Sequence, residues 1–116
     1  MMSEIDENSR RERHEYDKHV LCYKCISPKG SHKTKVPFVF DIHDISYGGL
    51  GIVTNQMLYP GSLMSFRIDT SDGNREFTVI VRWSRYNGER YESGLQFVDV
   101  MREDIVFLHK IVQHLK

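Results

Sequence analysis

Between His19 and Val98 the chain offers no apolar run at helical spacing, only short segments rich in β-branched and aromatic side chains. They lie at residues 19–26 (HVLCYKCI), 36–45 (VPFVFDIHDI), 49–54 (GLGIVT), 62–69 (SLMSFRID), 76–84 (EFTVIVRWS) and 91–98 (YESGLQFV). Turn residues separate most of them, at Pro28-Lys29-Gly30, Pro60-Gly61, Asp72-Gly73 and Asn87-Gly88. Connections this short suit antiparallel neighbours. Six strands with no helix between them close most economically into a barrel, because closure removes the sheet edges that invite aggregation. The last segment, MREDIVFLHKIVQHLK, has Ile105, Leu108, Ile111, Val112 and Leu115 on one helical face and is expected to pack on that barrel. The fold class is therefore mainly β: a six-stranded antiparallel barrel with a C-terminal helix.

A chain of 116 residues and 13.7 kDa supports one core. Residues 1–18 are polar and charged and read as a flexible N-terminal arm, which leaves 19–116 as the folded domain. Sixteen basic and sixteen acidic side chains cancel, so no net field draws the chain to a nucleic-acid polymer. There is no apolar run of the length that crosses a membrane and no signal-peptide pattern, and a cytoplasmic protein is expected.

Cys22 and Cys25 form a C-x-x-C, which raises a zinc or redox domain as one reading. On a strand, odd spacing sends the two sulfurs to opposite faces, and the histidines supply no second ligand pair at metal spacing. Structural cysteines and no bound metal are expected. A catalytic nucleophile with its base, or a phosphate-binding glycine loop followed by lysine, is not recognisable either, and the chain reads as non-enzymatic.

Polar chemistry concentrates where the second segment ends, in DIHDISYGGLGI. Asp44 can accept from two adjacent N–H groups, as on the edge of a guanine, while Ser46 both donates and accepts. The glycines that follow allow a tight turn or a close approach to a planar or phosphate-bearing ligand. The same residues also make an ordinary turn, with Ser and Asp bonding to backbone and Gly supplying positive φ. Upstream, SRRERHEYDK crowds Arg10, Arg11, Arg13, His14 and Lys18 ahead of the first strand.

With these features together the sequence resembles the PilZ family, bacterial receptor domains for the second messenger cyclic di-GMP. Asp44-Ile45-Ser46-Tyr47-Gly48-Gly49 matches the family's D/N-x-S-x-x-G motif, and Val81-Arg82-Trp83, Gly94-Leu95-Gln96-Phe97 and the terminal helix extend the likeness over nearly the whole chain. The resemblance implies the same six-stranded barrel and no cofactor beyond the ligand. Its site residues carry over to Arg10, Arg11, Arg13, His14 and Lys18 on the arm, and to Asp44, Ser46, Gly48, Gly49 and Trp83 on the barrel.

The family's R-x-x-x-R motif is absent, since no two arginines stand four apart. Two registers remain open, Arg10 with His14 or His14 with Lys18, and neighbouring arginines could serve by a shift along the arm. Lysine keeps the charge of arginine without its bidentate fork, and histidine is largely neutral near pH 7. The resemblance implies a receptor that orders its arm over Asp44, Ser46 and Gly49 and presents a changed surface to a protein partner. The other reading is a PilZ domain that has lost the nucleotide and acts as a protein adaptor.

Overall fold

The computed structural model describes residues 13–30 and 33–115. All six segments are strands: β1 (His14–Ile26), β2 (Phe38–Ile45), β3 (Gly49–Thr54), β4 (Leu63–Thr70), β5 (Gly73–Tyr86) and β6 (Tyr91–Val98), followed by helix α1 (Arg102–Leu115). They close into an antiparallel barrel in the order β1-β2-β3-β6-β5-β4. β1 closes it by pairing with β2 from His14 to Cys22 and with β4 from Cys22 to Ile26.

The interior is set by alternation along each strand. Phe40, Phe66, Phe77 and Phe97 point inward from four strands and meet in sequence, with centroids 5.2 Å apart for Phe40–Phe66, 6.4 Å for Phe66–Phe77 and 5.1 Å for Phe77–Phe97. Phe107 of α1 continues the series at 6.0 Å from Phe77. Leu108, Ile111 and Val112 are buried beside it, whereas Leu115, placed by its spacing on the same face, stays exposed at the helix end. Asp104 fixes the other end of the helix. Its Oδ2 accepts from the Met101 amide at 2.9 Å and its Oδ1 from Arg75 Nε of β5 at 2.6 Å, so one carboxylate caps the helix and ties it to the barrel.

Two expectations need correction. Residues 14–18, assigned to the flexible arm, are the start of β1, with His14 opposite Ile45 and Lys18 opposite Ile42. Their backbone is held by β2, and of their side chains Tyr16 packs against the core. The arm proper, residues 1–12, lies outside the described residues. The cysteines do not diverge: a bulge between Cys22 and Lys24 advances the alternation by one, so Cys22 stands opposite Phe66 and Cys25 opposite Met64, both inward-facing. Both are free thiols, and burial pushes that of Cys22 up to about 11. A second bulge, between Val81 and Trp83, separates residues that strict alternation puts on one face: Val81 is buried and Trp83 turns outward.

Candidate functional site

The β2–β3 turn is held from inside by Ser46. Its side chain is 2% exposed, and its Oγ accepts from the amides of Gly48 and Gly49 at 3.2 Å each. The Ser46 amide donates to the Gly49 carbonyl at 2.9 Å, and the Phe97 amide donates to the Gly48 carbonyl at 3.0 Å, which fastens the turn to β6. The hydroxyl is thus committed to the turn itself. Tyr47, at the tip, extends to α1: its hydroxyl is 2.7 Å from His109 Nδ1, and the two rings stack with centroids 6.1 Å apart.

Asp44 faces outward from the same strand end. Arg13 Nη1 donates to its Oδ1 at 2.6 Å, and His43 Nδ1 lies 3.0 Å from its Oδ2. The carboxylate rests directly over the backbone of β3, where a Cβ on Gly51 would stand 2.4 Å from Oδ2. Only glycine at 51 leaves Asp44 that position.

Beside this pair opens a cleft of about 360 Å³, lined by Arg13, Ser46 and Gly48 on one side and by Arg82, Trp83 and Gln96 on the other. Trp83 is 45% exposed and its pyrrole ring covers Gly94, where a Cβ would stand 2.2 Å from Nε1. The guanidinium of Arg85 sits 5.3 Å from the Trp83 ring centroid and also bonds Glu92 at 3.0 Å. Hydrogen bonds from Asn87 and then Arg85 hold the Glu92 carboxyl below its usual range. Arg82 Nε donates to Gln96 Oε1 on the neighbouring strand. The cleft therefore combines a flat aromatic surface, two guanidinium groups and a backbone turn, a set suited to a planar base bearing an anionic group.

Of the residues marked in the sequence, Arg13, Ser46, Gly48 and Trp83 line this cleft, with Asp44 bound to Arg13 at its edge and Gly49 paired with Gln96 behind it. Lys18 lines two other grooves and His14 stands opposite Ile45, so neither borders the cleft. Arg10 and Arg11 lie outside the described residues. Arg82, Gln96, Gly51 and Gly94 were not among the site residues that the sequence marked, although three of them stand in segments that carry the family likeness. The glycines of GGLG and SGLQ were the available signal for Gly51 and Gly94.

A closed six-stranded antiparallel barrel with a C-terminal helix, carrying D-x-S-x-x-G at the β2–β3 turn beside an arginine, defines a class of small helix-bearing β-barrel domain. The sequence matches the PilZ domain model over residues 8–115, and the chain belongs to the PilZ family. Among solved structures it resembles the PilZ domain with c-di-GMP of YcgR from Escherichia coli, at 17% identity and a TM-score of 0.63, covering 91% of this chain and 90% of that one. It also resembles K. pneumonia MrkH in its apo state, at 24% identity and a TM-score of 0.62, covering 95% of this chain and half of that one. Both likenesses bear on the fold. The comparison with curated proteins gave no match.

Proposed function

We propose that the protein is a bacterial, cytoplasmic, non-enzymatic receptor for cyclic di-GMP, and that the cleft between Arg13 and Trp83 is its binding site. The observation that carries this reading is the Arg13–Asp44 ion pair at the edge of a cleft walled by Trp83. Each partner is complementary to one part of a guanine dinucleotide. Arg13 would exchange the carboxylate for a phosphate, which likewise can accept two parallel N–H bonds from a guanidinium. Asp44, once released, would accept from the Watson–Crick edge of guanine, while a base stacks on the exposed face of Trp83. Arg10 and Arg11 would close over the ligand from the arm, in place of the missing R-x-x-x-R. Because Tyr47 joins the turn to His109 of α1, movement at the turn would reach the helix and alter the surface offered to a protein partner.

The protein adaptor remains a second reading, favoured by the absence of two arginines four residues apart. A fluorescence titration separates the two, since Trp83 is the only tryptophan. Cyclic di-GMP should quench its emission saturably, with GMP having little effect; an unchanged spectrum at saturating cyclic di-GMP would favour the adaptor.

A further inference from the structure

Charge is distributed unevenly along this neutral chain. Residues 18–40 contain five lysines and no acidic side chain, so the rest of the sequence holds eleven basic residues against sixteen acidic ones. Among the described residues, five arginines elsewhere pair with carboxylates: Arg13–Asp44, Arg67–Asp69, Arg75–Asp104, Arg85–Glu92 and Arg90–Asp41. Lys24, Lys29, Lys33 and Lys35 are exposed, and none forms an ion pair among the described residues.

Lys24 lies near the end of β1, and Lys29, Lys33 and Lys35 lie in the β1–β2 connection, at one end of the barrel. That connection is tied to the β3–β4 connection there: Gln56 Nε2 donates to the Lys35 carbonyl at 3.2 Å, and Pro28 lies against Gly61. The same end exposes aliphatic side chains. Ile26 is 54% exposed, Val36 42% and Met57 42%, and Leu63 is the exposed cross-strand partner of Ile26. Between the two connections runs an open cleft of about 540 Å³ whose lining includes Lys33, Lys35, Met57, Tyr59 and Tyr91 but no carboxylate.

We propose that this end of the barrel docks on an anionic lipid surface. The charge is complementary, and it comes as separate ammonium groups rather than the forked guanidinium that a fixed carboxylate geometry favours. Aliphatic side chains standing between the lysines can enter the headgroup region, and the cleft with its two lysines and two tyrosines can receive one phosphate-bearing headgroup. A nucleic-acid backbone would use the charge but leave Ile26, Val36, Met57 and Leu63 in water, so lipid fits the whole patch better. The site is separate from the nucleotide cleft: Thr54–Tyr91 lies five residues along the β3–β6 ladder from Gly49–Gln96, roughly 17 Å at strand spacing.

The test is sedimentation of the full chain, without nucleotide, with vesicles of phosphatidylglycerol mixed into phosphatidylcholine. Binding to these, and not to phosphatidylcholine alone, is expected. Replacing all four lysines (K24Q, K29Q, K33Q, K35Q) should weaken it on the order of a thousandfold, since each lysine near such a surface contributes about one kcal/mol. The pair Val36→Ser and Met57→Ser, at exposed positions that leave the core intact, should weaken it about tenfold. Absence of binding, or equal binding by the lysine variant, overturns the proposal. So does an unaltered affinity in the Val36/Met57 variant, which would mean that charge acts alone. Poly-glutamate binding as tightly as the vesicles would assign the surface to an acidic protein segment instead.

Discussion

The pyrrole ring of Trp83 occupies the space that a side chain at position 94 would fill, with Nε1 2.2 Å from where a Cβ on Gly94 would stand. The bulge before Trp83 turns the ring outward, and the glycine opposite lets it settle on the β6 backbone as one wall of the cleft. Gly94→Ala should therefore push the ring off the strand without emptying the core. The expected result is a shift in Trp83 emission, a stability loss of about 1–3 kcal/mol from overpacking, and weaker cyclic di-GMP binding. An unchanged spectrum would show that the ring does not rest on residue 94.

Asp44 depends in the same way on Gly51. Gly51→Ala places a methyl group against the carboxylate and should reproduce the effect of Asp44→Ala on nucleotide affinity. A hydrogen bond to a charged group contributes about 1.5–3 kcal/mol, which corresponds to a loss of roughly tenfold to a hundredfold. Binding isotherms of the two variants should superimpose. If Asp44→Ala binds like the parent, the carboxylate does not touch the ligand.

Ser46 has a different part from Asp44 despite sharing its motif. Removing its hydroxyl in Ser46→Ala leaves the Gly48 and Gly49 amides without their acceptor in a nearly closed turn. Stability should fall by about 1–3 kcal/mol in urea unfolding, and any loss of affinity should follow from a loosened turn. A variant as stable as the parent would indicate that water replaces the hydroxyl without cost.

Cys22 gives the folded state a pH dependence at the alkaline end. Burial, the largest cause, pushes its thiol from 9.0 up to about 11, so across that interval the unfolded chain has lost a proton that the folded chain keeps. The contribution to stability is present below 9 and is lost as pH rises through the folded value. Urea midpoints should fall over that range, and Cys22→Val should fall less. Parallel declines in the two proteins would assign the effect to the tyrosines or lysines.

Much of this fold was legible because its signals are local. Strand positions followed from β-branched runs and turn pairs, and β3 and β6 have the limits their sequences suggest. What escaped depends on neighbours. His14–Lys18 alternate weakly, with Tyr16 the one large apolar residue, so only pairing with β2 marks them as strand. The bulges at Cys22/Lys24 and Val81/Trp83 each add a residue to one strand, which reverses inside and outside beyond them, and nothing in the residue types there announces the shift. At the site, the motif marked Asp44 and Ser46 but not the different contacts they make, an ion pair to Arg13 for one and the turn amides for the other. Arg82, Gln96, Gly51 and Gly94 matter through what lies across from them on adjacent strands.

The most direct measurement is a calorimetric titration of cyclic di-GMP into the full chain, run beside Arg13→Ala and Lys18→Ala. Arg13 borders the cleft and Lys18 does not. The account predicts saturable binding by the parent, a loss of at least about tenfold in Arg13→Ala, and little change in Lys18→Ala. Absence of heat from the parent at saturating ligand, or a loss confined to Lys18→Ala, would contradict it.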